Sequence, residues 1–225
     1  YIGIFDVLGP IMIGPSSSHT AGAARLGKIA RTIVNKPIKD VTFLLHGSFK
    51  ETYKGHGTDR ALVAGLLGME PDDIRIPQSF SFAKEVGLNF EFLSTDLRDV
   101  HPNTVLLKMK GTSGRTMEVM ASSIGGGRIQ VCQIDGLEVH FSGEMPTLIV
   151  HNIDQPGYVT EVTSVLGSKH INIATMQLYR DIRGGNAIMV IECDEDIPSI
   201  VIQWLEQMHG VLKVTYLNLE GSHEF

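Results

Sequence analysis

Three serines, a histidine and a threonine stand in one uninterrupted run, Ser16-Ser17-Ser18-His19-Thr20. Gly9-Pro10 and Gly14-Pro15 precede it, and Ala21-Gly22 leads into a helical pattern. Glycine and proline exclude a regular strand or helix before the serines. The start of the following helix carries unsatisfied N–H groups and a partial positive charge, so hydroxyls gathered there suit a carboxylate or phosphate. The plainer reading is an N-cap, but a cap needs one such residue, not five. A second stretch, Lys54-Gly55-His56-Gly57-Thr58-Asp59, has the same design of glycine, histidine and hydroxyl before a helix. A histidine titrates near neutrality, so His56 suits proton transfer, with Thr58 or Asp59 able to fix its tautomer. A Gly-His-Gly alone would read only as a turn.

The elements that position these residues follow from periodicity. Leu26, Ile29, Ala30, Ile33 and Val34 predict a helix from about 20 to 35, stopped at Lys36-Pro37. Val41 to His46 reads as a buried strand running into Gly47-Ser48, a backbone turn that allows close approach. Ala61, Leu62, Ala64, Leu66 and Leu67 mark the helix after the His56 loop, and a short helix is expected over 82–86. Strands are predicted over 88–93, 104–110, 116–122, 128–134 and 137–141, with Asp135-Gly136 as a hairpin signal and Gly125-Gly126-Gly127 as a second open wall. Helices followed by such strands give an α+β first domain, 1–142. After Ser142-Gly143-Glu144-Met145-Pro146 the pattern resets, and 147–220 reads as βαββαβ, the ferredoxin-like order. The tail 221–225 is expected to fray.

The chain has 225 residues, 43% hydrophobic and 20% charged, the composition of an ordinary globular protein with room for two cores. Nineteen basic against 25 acidic residues give a net charge of −6, which argues against nucleic acid or a polybasic membrane contact. No apolar run approaches the ~20 residues of a membrane span, and no signal-peptide pattern is visible. Cys132 and Cys193 are the two cysteines, far apart and in no metal-ligand spacing. They read as reduced strand residues, and a cytoplasmic location is expected.

Together, Ile13-Gly14-Pro15-Ser16-Ser17-Ser18-His19-Thr20, Lys54 to Asp59 and Ser123-Ile124-Gly125-Gly126-Gly127 resemble the bacterial iron–sulfur-dependent L-serine dehydratases, most closely the beta subunit of the two-chain type. The segment after 146 resembles an ACT domain, the small ligand-sensing module of amino-acid metabolism. The resemblance implies an N-terminal serine dehydratase beta-type (allosteric-substrate-binding-like) domain joined to a ferredoxin-like ACT domain.

It also implies a lyase of amino-acid degradation and gluconeogenesis that takes L-serine to pyruvate and ammonia by α,β-elimination. His56 is then the expected base, with Ser16, Ser17, Ser18, His19, Thr20, Ser48, Thr58, Asp59 and Gly126 as substrate-binding positions. His101 and Asn103 match a family His-x-Asn pattern. Such enzymes use a 4Fe–4S cluster needing three or four thiolates. Two cysteines cannot supply them, so the cluster is expected on a cysteine-bearing alpha subunit and no metal site on this chain. Asn152, Asp154 and Gly157 are carried over as ACT ligand positions, with dimerisation through an ACT sheet edge. The competing reading is a serine-sensing regulatory subunit without catalytic residues of its own.

Overall fold

A computed structural model describes residues 11–219, so Gly9-Pro10 and the tail 221–225 lie outside the described residues. The chain divides into two compact units, Tyr1–Gly136 and Leu137–Phe225. The division falls in the Asp135-Gly136 turn, and the last predicted strand of the first domain, Leu137–Phe141, goes with the second unit.

In the first unit a π-helical turn, Ser17–Ala21, runs directly into α1 (Gly22–Val34). Then follow β1 (Ile38–Leu45), α2 (Gly47–Thr52), α3 (Thr58–Leu66) and α4 (Ser79–Glu85). The strands β2 (Asn89–Ser94), β3 (Thr104–Gly111), β4 (Thr116–Gly125) and β5 (Arg128–Ile134) complete it. The sheet order is β2-β1-β3-β4-β5. Val41, Phe43 and Leu45 of β1 stand opposite Met109, Leu107 and Val105 of β3, so one face of the sheet is uniformly apolar and buried. That alternation is what period-two patterning requires of a half-buried sheet. β2 pairs with β1 in parallel, Phe43 facing Phe92 with rings stacked at 4.8 Å.

Gly47-Ser48, read as a turn, instead opens α2. Gly47 takes φ 55°, and its hydrogen faces the Pro102 carbonyl, where a β-carbon would overlap. α1 and α3 pack through Gly27 and Gly65, whose missing β-carbons leave room for the Leu62 and Ala24 carbonyl oxygens.

The second unit contains β6 (Leu137–Phe141), β7 (Thr147–Ile153), α5 (Tyr158–Ser168), β8 (Ile173–Arg180), β9 (Asn186–Cys193), α6 (Ser199–Glu206) and β10 (Val211–Leu217). From β7 onward the order is βαββαβ, and the sheet runs β10-β7-β9-β8, antiparallel throughout. This is the ferredoxin-like arrangement that the sequence predicts. Its core gathers Leu148, Val150, Val162, Leu166, Met189, Ile191, Val201, Leu205 and Val214. β6 lies against β8, where Gln177 and the His140 backbone exchange two hydrogen bonds of 3.1 and 2.8 Å.

On β7, His151 stands between Ile188 of β9 and Lys213 of β10, and its Nε2 is buried without a hydrogen-bond partner. Burial first, and Lys213 second, push its pKa down to about 4. In the unfolded chain the same ring titrates near 6.5, so below that pH the unfolded state takes up a proton that the folded state refuses. Stability is therefore retained above about pH 6.5 and lost as the pH falls toward 4, by on the order of 3 kcal/mol. Denaturant titrations from pH 7 to 4 are expected to show this loss, and His151→Leu to flatten it. An equally steep slope in the variant would assign the acid sensitivity elsewhere.

Candidate functional site

Ser16 caps the helix start. Its hydroxyl accepts from the His19 backbone N–H at 3.2 Å, and its carbonyl accepts from Thr20 N–H at 2.9 Å. The first turn is π-helical, closed by Gly22 N–H donating to the Ser17 carbonyl. Such turns shift the following side chains around the helix and are frequent at functional sites. Here the turn brings His19 inward against Ser16 and Ser18, with Nδ1 at 3.3 Å and 3.0 Å from their hydroxyl oxygens. Its Nε2 lies 2.9 Å from Ser48 Oγ on α2. The edge of the His19 ring meets Phe49, which is fully buried, at a centroid distance of 5.3 Å and an interplanar angle of 77°.

His19 is thus held at both nitrogens and one ring edge. Burial, and secondarily the neighbouring His56, hold its pKa below the ordinary histidine value. It is a neutral ring near pH 7.

His56 lies beside it, ring centroids 5.1 Å apart at 63°. The backbone of its loop is fixed: His56 N–H donates to the Thr52 carbonyl at 3.1 Å, and the buried Thr20 hydroxyl donates to the His56 carbonyl at 3.2 Å. The ring itself is exposed and makes no hydrogen bond among the described residues. Of the two histidines, the His19 ring is therefore held by hydrogen bonds and the His56 ring is not.

Thr58 and Asp59, expected to fix the His56 tautomer, make no hydrogen bond to its ring among the described residues. Thr58 is fully buried, its hydroxyl without a partner. Asp59 accepts from the Arg60 N–H at 2.8 Å, and burial raises its pKa above the usual carboxylate value. Ser17 is half-buried, and its hydroxyl carries no hydrogen bond among the described residues. Gly126 sits in the β4–β5 turn, tied to α1 where Arg25 Nη1 donates to the Gly127 carbonyl at 3.0 Å. No hydrogen bond or ring contact links Gly126 to His19 among the described residues.

Two oxygens outside the predicted substrate set also belong here. Ser123 Oγ and Asn103 Oδ1 are buried without partners, and Ser123 N–H donates to the Asn103 carbonyl at 2.9 Å. The Ser123 hydroxyl lies against Gly22, where a β-carbon would overlap it. Buried polar atoms are nearly always satisfied, and these two are exceptions among the described residues. The sequence signal for Asn103 was the His-x-Asn pattern, and for Ser123 its place before the triple glycine. Phe49 carries no such signal. A separate cavity of about 670 Å³, lined by Arg31, Thr32, Asn35, Lys36, Leu67 and Leu88 among others, lies at the other end of α1 and contains none of these groups.

In the second unit Asn152 is buried, its Nδ2 donating to the Ile153 carbonyl at 2.9 Å and its Oδ1 unpartnered. The Asp154 carboxylate accepts from Gly184 N–H at 3.0 Å and Arg180 Nη1 at 2.8 Å, which hold its pKa below the usual value. Gly157 takes φ 98° just before α5. Asp154 thus binds the β7–α5 loop to the β8–β9 turn.

The chain thus joins an α+β unit carrying a hydroxyl-and-histidine cradle to a ferredoxin-like unit, the two-part class in which an ACT-type module follows a separate domain. The pattern of the Serine dehydratase beta chain family matches residues 3–89, and that of the ACT domain matches residues 147–210. A probable L-serine dehydratase beta chain of Bacillus subtilis (strain 168) is 39% identical over 215 residues, covering 96% of this chain and 97% of its own. The L-serine dehydratase beta chain of Peptoniphilus asaccharolyticus is 43% identical over 194 residues, 86% of this chain and 87% of its own. A D-3-phosphoglycerate dehydrogenase of Bacillus subtilis (strain 168) is 25% identical over 198 residues, 88% of this chain but 37% of its own. The chain belongs to the serine dehydratase beta chain family and carries a C-terminal ACT domain.

Proposed function

We propose that this chain is the beta subunit of an L-serine dehydratase and acts with a separate alpha subunit. The observation that carries the reading is the exposed, unbonded His56 ring beside a neutral His19 fixed on the serine-rich turn. The substrate carboxylate is held at the start of the Ser17–Ala21 turn, by helix N–H groups and the hydroxyls of Ser16, Ser17 and Ser18. His56 takes the Cα proton of L-serine. The Cα electron pair forms the Cα–Cβ double bond as the Cβ–O bond breaks. The departing hydroxide takes up a proton from the medium to leave as water, and His56 returns the Cα proton to solvent, so the step balances. The aminoacrylate that remains tautomerises to an imine, and water hydrolyses it to pyruvate and ammonia.

The 4Fe–4S cluster that the resemblance implies does not fit the residues of this chain. Cys132 and Cys193 belong to different units, and burial with nearby acidic side chains pushes the Cys193 thiol up to about 11. Among the described residues no three histidine, cysteine or acidic side chains converge as ligands. The reading therefore puts the cluster on the alpha chain. A cytoplasmic setting and pairing through the ACT sheet edge belong to the same reading. No helix among the described residues is long and apolar enough to cross a membrane.

The test is anaerobic expression with and without a cysteine-bearing alpha chain. Pyruvate is expected only from the pair. Robust formation by this chain alone would overturn the proposal. A second reading, a serine sensor, draws on the likeness to phosphoglycerate dehydrogenases, and His56 separates the two.

A further inference from the structure

The His19 ring bridges two groups of hydroxyls, and which way its protons point decides what those hydroxyls can do. Being neutral, it carries one N–H. If Nε2 is protonated, it donates to Ser48, and the bare Nδ1 must receive a proton from Ser16 or Ser18. One hydroxyl hydrogen is then turned inward, and a lone pair faces the place where a carboxylate would sit. If Nδ1 is protonated, Ser16 and Ser18 act as acceptors toward His19. Ser16 already accepts from the His19 backbone N–H. The two hydroxyl oxygens lie 3.3 Å apart, but neither hydrogen is then claimed by His19, so both can turn outward to a carboxylate, and Nε2 needs a donor.

We propose that Ser48 is that donor, a positioning residue that fixes His19 with its proton on Nδ1, so that Ser16 and Ser18 present two hydroxyl donors to the substrate carboxylate. Ser48 is well placed for it. Its Oγ is 2.9 Å from Nε2, its N–H donates to the Pro102 carbonyl at 3.0 Å, and its carbonyl accepts from the Thr52 hydroxyl at 2.7 Å. The left-handed Gly47, pressed against Pro102, sets the direction of that short helix. Phe49, the next residue, fixes the ring edge. The expectation that Ser48 binds substrate is thereby refined: it acts through His19. The inference rests on the proposed carboxylate site.

Ser48→Ala in the alpha–beta holoenzyme is expected to raise KM for L-serine about 10- to 30-fold, the loss of a charge-assisted hydrogen bond. Its kcat should change less than about threefold, because His56 is untouched. Ser48→Thr, which keeps the hydroxyl, is expected to recover most of the loss. In nitrogen-15 spectra of the full chain with L-serine, His19 Nδ1 should be the protonated nitrogen, and Ser48→Ala should lose that preference.

An unchanged KM in Ser48→Ala, a Thr variant no better than Ala, or a proton on Nε2 with serine bound would each overturn the proposal. Calorimetric binding of L-serine to the full chain distinguishes the two layers. Serine bound with Nε2 protonated sinks the tautomer argument alone. Absence of serine binding in both chain and holoenzyme sinks the carboxylate site with it.

Discussion

His56→Ala is expected to lower kcat for serine elimination about 10²- to 10⁴-fold while KM moves only a few-fold. The split follows from how the loop is built. The backbone around His56 is held by Thr52 and Thr20, and Thr58 N–H donates to the Tyr53 carbonyl at 2.9 Å. None of these bonds involves the imidazole, so truncation leaves the loop in place. The groups proposed to hold the carboxylate lie on the other motif, around Ser16 to His19, and survive the change. What disappears is the ring proposed to take the Cα proton, which makes no hydrogen bond among the described residues. His56→Gln should fall as far as His56→Ala, because an amide keeps the bulk without the basicity. The measurement is steady-state pyruvate formation by the holoenzyme, with circular dichroism as a control on folding. Turnover unchanged by either substitution would move the base elsewhere and favour the serine-sensor reading.

Gly65→Ala is expected to destabilise the first unit by about 2–3 kcal/mol. A β-carbon there would overlap the Ala24 carbonyl oxygen and press the Lys28 backbone nitrogen. Both obstacles are main-chain atoms of α1, which cannot rotate away as a side chain can. Overpacking of this kind costs about 1–3 kcal/mol, and the gain of alanine over glycine in a helix offsets at most about 1 kcal/mol. Because no soft neighbour can yield, the upper end applies. The effect should reach the site. α1 grows from the Ser17–Ala21 turn and α3 from the His56 loop, so forcing the helices apart separates the serines from the histidine. Gly167→Ala on α5, with open space and ordinary φ, serves as the control and should be neutral or slightly stabilising. Denaturant midpoints compare them. Equal stability of the two variants would mean that the α1–α3 contact is softer than its backbone packing implies.

Both predictions concern residues whose types are plain in the sequence but whose surroundings are not. His56 reads as a candidate base from its motif, yet nothing in the sequence separates it from His19. The separation is tertiary: α2 delivers Ser48 and Phe49 to one histidine and leaves the other ring open. Thr58 and Asp59, two and three residues after His56, make no hydrogen bond to its ring among the described residues: the Thr58 hydroxyl is buried unpartnered and Asp59 accepts from the Arg60 N–H.

The strands from Thr104 to Ile134 and the βαββαβ order of the second unit were legible, because alternation and turn residues are local signals. The parallel pairing of β1 with β2 was not, since it joins segments separated by three helices. Gly47-Ser48 looked like a turn for a related reason. Its helix is only six residues long, and the contact with Pro102 that fixes its start comes from a distant loop.

By itself, the sequence determined that hydroxyl and histidine motifs sit at helix starts, that a ferredoxin-like unit follows, and that two cysteines cannot ligate a cluster. Those conclusions need only residue types, spacing and counting. Only the tertiary structure decided that Ser17–Ala21 is a π-helical turn gripping His19, that Ser48 closes the other side of that ring, and that Asn103 and Ser123 keep unpaired oxygens, that of Ser123 against Gly22. Hydrogen bonds between motifs far apart in the chain depend on the approach of α1, α2 and β4. That approach is set by glycines and backbone carbonyls whose contacts no local pattern encodes.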